Sequence, residues 1–216
     1  MKLLYSLLLF VALVCNLAYS HIGIDFAFGS NVADLSCFKG KGYSKAIIRC
    51  YQSIGQIDPN CKSSIENAKK AGLSVDVYIF PCYNCGNPSN QVESTVNYIK
   101  SYIDNKSVGT VWLDVEGPGA YWSNDHSANA KFFEGLVAGG KKAGAKIGVY
   151  TSASQWEPIM GSYTGGKDFP LWYAHYDNDA SFKDFTAFGG WSKPYMKQYQ
   201  GDVSECGLGV DKNYWA

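Results

Sequence analysis

The sequence predicts an α/β fold, an irregular (β/α) barrel of about eight strands with a reduced set of helices. Three observations predict it. Short apolar and β-branched runs alternate with helix-length segments over most of the chain, glycines stand where helices should stop, and strands crowd together after Gly161. Repeated strand, helix, strand implies parallel pairing through crossovers, which an open doubly wound sheet would also satisfy. The loss of helices in the last third favours the barrel.

In order, Ile22–Phe26 is the first candidate strand and residues near Asn31–Phe38 the first candidate helix. Ala46–Tyr51 follows as a strand, Asn60–Ala71 as a helix stopped by Gly72, and Ser74–Phe80 as the third strand. Pro88–Asp104 reads as a helix, Thr110–Glu116 as a strand, Ser127–Ala143 as a helix stopped by Gly144, and Lys146–Thr151 as a strand. Then Leu171–Tyr176, Met196–Gln200 and Val210–Tyr214 follow as strands, with only a short helical stretch around Phe182–Phe188 among them. The glycine-rich segment Gly161–Gly166 has no Lys-Ser cradle and does not open a helix after a strand, so it reads as a loop and not a phosphate site.

Residues 1–20 have the pattern of a secretory signal peptide: Lys2, an apolar run from Leu3 to Val14 too short to span a bilayer, and the small-residue end Ala18-Tyr19-Ser20. Cleavage there leaves His21–Ala216, in which no linker or repeat appears, so one domain, soluble and exported, is expected. Six cysteines then remain, Cys37, Cys50, Cys61, Cys82, Cys85 and Cys206. An even number in an exported chain reads as disulfides, among 15 possible connectivities. Cys82-Tyr83-Asn84-Cys85 lacks a partner motif at zinc spacing, so disulfide pairing is the better reading. Asn105-Lys106-Ser107 is a glycosylation acceptor.

Loss of Lys2 leaves 18 basic against 19 acidic residues, which excludes a strong global pull on anionic polymers and makes nucleic acid an unsuitable partner. Sixteen Tyr and six Trp suit a groove that stacks sugars, although aromatic cores are the commoner use. His21, His126 and His175 are scattered, so neither a metal nor an organic cofactor is implied.

The chemistry concentrates in Val111-Trp112-Leu113-Asp114-Val115-Glu116-Gly117. In a strand, side chains alternate, so Asp114 and Glu116 share a face with Trp112 while Val111, Leu113 and Val115 face the other way. These acids end the strand at Gly117-Pro118-Gly119, the end at which parallel barrels carry their sites. Adjacent carboxylates in a water-poor pocket raise each other's pKa, which keeps one protonated for donation to a leaving oxygen. Arg49 is the lone arginine after residue 20, so a purely structural pairing for both acids is scarce. Asp25 at the end of the first strand and Asp211 in the last complete a set of four, since first and last strands are neighbours in a closed barrel.

Ile24-Asp25-Phe26, Val77–Phe80, Asp114-Val115-Glu116, Gly148–Ser152, Leu171–Ala174, Lys197-Gln198-Tyr199 and Val210-Asp211 together resemble glycoside hydrolase family 25. The resemblance spans His21 to the C-terminus and is closest to the cysteine-bearing members of protists and nematodes. It implies a flattened β/α barrel and a lysozyme that cuts the β-1,4 bond after N-acetylmuramic acid in peptidoglycan. It implies Glu116 as general acid, Asp114 as its companion, Asp25 and Asp211 as completing acids, and Tyr78, Tyr150, Trp172 and Gln198 as groove residues. Phe26-Ala27-Phe28 departs from the family, where a small hydroxyl residue often follows the first acid. Asp114 would either attack directly or orient the substrate's N-acetyl group, and the resemblance favours the second. The rivals are a chitinase-like hydrolase, against which Trp112 stands where a further Asp would be, and a sugar-binding protein without catalysis. A monomer is expected, either released or delivered to a digestive vacuole.

Overall fold

The computed structural model describes residues 21–103 and 107–216. The expected signal peptide and the Asn105 sequon lie outside the described residues.

Among the described residues, nine strands and five α-helices alternate. They are β1 (His21–Phe26), α1 (Val32–Gly40), β2 (Lys45–Gln52), β3 (Gln56–Ile57), α2 (Cys61–Lys70), β4 (Ser74–Ile79), α3 (Pro88–Lys100), β5 (Thr110–Asp114), α4 (His126–Lys142), β6 (Lys146–Thr151), α5 (Ala153–Met160), β7 (Leu171–Ala174), β8 (Met196–Glu205) and β9 (Leu208–Trp215). A short 3-10 turn, Tyr83–Cys85, precedes α3. The sheet order is β1-β9-β8-β7-β6-β5-β4-β2-β3, and an additional β1–β2 pairing closes eight strands into a barrel with β3 outside.

All eight expected strands are present, but pairing is not parallel throughout. β9 runs antiparallel to both β8 and β1. The reason is local: only Cys206 and Gly207 separate β8 from β9, and both have positive φ, which gives the two-residue turn that reverses a twisted hairpin. α5 was not expected, and the expected helix at Phe182–Phe188 is a loop. The three-residue spacing of Phe182, Phe185 and Phe188 imitates a helix face, yet Phe182 and Phe185 pack on Tyr173 and Phe188 packs on Trp191.

Two apolar regions hold the barrel together. One lies between strands and helices and includes Val111, Leu113 and Val115; the other, inside the barrel, is Ile47, Trp112, Tyr150, Trp172 and Met196. Strand alternation thus sends Trp112 inward and its neighbours outward, as expected. Below this plug, buried Asp76 accepts from Trp112 Nε1 at 3.1 Å and from Lys45 Nζ at 2.8 Å. A filled floor leaves the open end, at the C-terminal ends of the parallel strands, for chemistry.

The disulfides are Cys37–Cys206, Cys50–Cys61 and Cys82–Cys85. Cys82–Cys85 is therefore a structural link and not half of a zinc site.

Candidate active site

One hollow of about 370 Å³ at the open end of the barrel is lined by Asp25, Tyr78, Asp114, Glu116, Tyr150, Trp172, Gln198 and Asp211, every site residue that the sequence singled out, together with Tyr176. Strand register brings them there. Asp25 is paired with Asp211 across β1 and β9, Asp114 with Tyr150 across β5 and β6, and Tyr150 with Trp172 across β6 and β7. Glu116 stands two residues beyond Asp114, just past the end of β5. Val115 N–H donates to Tyr150 O at 2.9 Å and Gly117 N–H to Gln155 Oε1 at 2.8 Å, so the chain on both sides of Glu116 is held.

A polar network fixes one wall. Gln198 Nε2 donates to Asp25 Oδ1 at 2.9 Å and to Asp211 Oδ2 at 3.1 Å, while Gln198 Oε1 accepts from Tyr150 and Tyr176 hydroxyls at 2.6 and 2.8 Å. Asn213 Nδ2 donates to Asp25 Oδ1 at 2.7 Å and its oxygen accepts from Trp172 Nε1 at 2.8 Å. Asp202 N–H caps Asp211 Oδ1 at 2.7 Å. The opposite carboxylate is bare: Asp114 is 3% exposed, and its Oδ1 is buried with no hydrogen-bond partner among the described residues. Such an atom is costly unless something from outside meets it.

Burial first, and neighbouring carboxylates second, disfavour ionisation of the four acids. Burial, then the nearby Asp211 charge, raises Asp25 from 3.8 to about 7, against the lowering effect of its bonds from Asn213 and Gln198. Asp114 is pushed well above the carboxylate range by burial and by the Glu116 and Asp25 charges, opposed by Arg49. Glu116 is raised by burial and by Asp211, and Asp211 by burial. A protonated carboxylic acid beside carboxylates on a water-poor wall can donate to an ether oxygen and take the proton back.

Two contributors escaped the sequence reading. Tyr176 lies at the end of the expected strand Leu171–Tyr176 with the parity of Trp172, and Asn213 follows Asp211 at the same two-residue interval. Period-two alternation was the signal that could have found both. Outside the site, His175, Asp177 and Asp184 gather ligand atoms within 4.8 Å of one another, while His21 lies against Trp215 and His126 against Pro158. The fully buried Lys197 ammonium occupies this cluster, 2.6 Å from Asp177 and 2.7 Å from Asp184, and answers its charge as an ion pair.

A family model described as lysozyme-like protein 1 matches residues 16–199. Over the whole of both chains, the sequence is 58% identical to probable GH family 25 lysozyme 5 of Dictyostelium discoideum. The chain belongs to glycoside hydrolase family 25. It is also 35% identical to lysozyme-like protein 5 of Caenorhabditis elegans, across 97% of this chain and 96% of the other. The family 25 lysozyme of Aspergillus fumigatus superposes with a TM-score of 0.75 at 20% identity, covering 91% of this chain and 94% of that one. A bacterial lysozyme from Streptomyces coelicolor gives 0.74 at 22%, with 90% and 91% covered. These two share the barrel fold with this chain. As a family member the chain is a glycoside hydrolase.

Proposed function

We propose that this chain is an exported muramidase that hydrolyses the β-1,4 bond between N-acetylmuramic acid and N-acetylglucosamine in peptidoglycan. Residues 1–20 are its signal peptide and His21–Ala216 its one catalytic domain, acting as a monomer. The observation that carries the reading is the gathering of Asp25, Asp114, Glu116 and Asp211 in one pocket, with a buried, unpartnered oxygen on Asp114.

Glu116 donates its proton to the glycosidic oxygen as the bond from C1 to that oxygen breaks. The carbonyl oxygen of the substrate's own N-acetyl group attacks C1, and Asp114 Oδ1 accepts from the amide N–H, which gives the bare oxygen its missing partner. Water then attacks C1, opens the ring so formed, and returns a proton to Glu116. Asp25 and Asp211, tied through Gln198, hold the pocket's shape and suppress its charge. Tyr150 and Tyr78, kept as neutral phenols by burial above all, face the sugar with Trp172.

The test is product analysis of purified peptidoglycan treated with native protein or with Glu116→Gln. New muramic-acid reducing ends from the native protein and none from the variant are expected. Glucosamine ends would favour the chitinase-like reading. No new ends from folded, wall-binding native protein would leave a sugar-binding protein in its place.

A further inference from the structure

Beside the catalytic pocket lies a second hollow of about 630 Å³, which shares Asp25, Tyr78 and Asp211 with it and is otherwise bounded by Phe28, Val203 and Ser204 among others. Phe28 is 69% exposed, an unusual position for a phenyl ring at the wall of a polar cleft. Neither wall is loose. The loop after β1 is held by Arg49, whose Nη2 donates to Ala27 O at 3.3 Å while its Nε is bound to Asp58 at 2.7 Å, and by Asn67 Nδ2 donating to Ser30 O at 2.7 Å. The facing hairpin is tied to α1 by Cys37–Cys206, and its Glu205 is gripped by Lys41 and Lys212, each at 2.8 Å. Side walls fixed in this way lose little freedom when a ligand enters.

We propose that this second hollow seats the sugar preceding the one in the pocket, with Phe28 as the shelf for its C–H face. This rests on the muramidase reading and adds a specificity residue to it. Three facts choose the occupant. The hollow is continuous with the pocket through three shared residues, so a linear glycan passes from one to the other. Glu116 lines the pocket but not the hollow, so the leaving sugar sits on the acid's side and the hollow receives the non-reducing side. The third fact is alternation of the polymer: with N-acetylmuramic acid in the four-acid pocket, the ring in the hollow is the neutral N-acetylglucosamine.

The test compares GlcNAc–MurNAc–GlcNAc with MurNAc–GlcNAc as substrates for native protein, Phe28→Ala and Phe28→Trp, each first checked for native-like melting. The ratio of kcat/KM for the trisaccharide to that for the disaccharide should fall about tenfold in Phe28→Ala, through KM, and hold in Phe28→Trp. An unchanged ratio in Phe28→Ala overturns the shelf. Should native protein cleave neither substrate, the muramidase reading fails, and calorimetry of the same two glycans decides the shelf separately. Tighter trisaccharide binding that Phe28→Ala abolishes supports it, and equal binding of the two glycans by native protein overturns it.

Discussion

Asp25 shows what a single side chain does to the pH behaviour of this molecule. Its carboxyl is raised from 3.8 to about 7, chiefly by burial, so the folded state holds a proton across a range in which the unfolded chain has released it. The sign follows: stability from this group is complete below about 4 and is lost as pH rises through about 7. Asp114, Glu116 and Asp211 are raised too and act in the same direction. The melting temperature should therefore fall between those limits, and Asp25→Asn, which retains an oxygen for Asn213 and Gln198, should flatten the fall; calorimetry across the range checks it. Activity should decline on the alkaline side as Glu116 loses its proton, because burial and Asp211 only delay that loss. These residues were legible because a strand fixes side-chain parity: Asp114 and Glu116 had to share a face with Trp112. Asp25 and Asp211 could be placed together only through barrel closure. The bare Oδ1 of Asp114 was not legible, since it depends on what surrounds a side chain and not on spacing.

At the scale of elements, the barrel interior constrains β6 most sharply. A Cβ built on Gly148 would lie 2.4 Å from the Trp112 ring, itself wedged against Trp172 at a centroid distance of 5.7 Å. Gly148→Ala should cost about 1–3 kcal/mol by overpacking, read as a lower denaturation midpoint with unchanged slope. The same layer explains why strands were read well, because a buried parallel strand must be a short apolar run and β2, β4, β5 and β6 are such runs. Elements set by tertiary contact were read badly. α5 is eight residues long with Pro158 inside it, so its local signal is that of a loop; packing of Trp156 against Phe133 and Trp191 supports the helix instead. Its Gln155 then supports the backbone beside Glu116, a role hidden as long as the helix is. The antiparallel course of β9 likewise follows from a two-residue turn whose Cys206 carries no ordinary turn signal, being a cysteine at φ 53.

Across the whole molecule, closure is the weak step of this fold, because β1 and β9 come from opposite ends of the described chain and must find each other. Cys37–Cys206 crosses that seam with a sequence separation of 169, joining α1 to the β8–β9 turn. A cross-link over so long a loop removes much of the freedom of the unfolded chain, and its loss typically costs about 2–5 kcal/mol. The double variant Cys37→Ser, Cys206→Ser should therefore melt well below the native protein, whereas removal of Cys82–Cys85, at a separation of three, should change the melting temperature far less. The two losses should also separate in function. The hairpin that Cys37–Cys206 tethers supplies Val203, Ser204 and Gly209 to the hollow beside the catalytic pocket, so at a temperature where the double variant remains folded, KM for long glycans should rise more than kcat falls. Equal melting of the two disulfide variants would show that the seam is held by the β1–β9 ladder and its packing, without help from the cross-link.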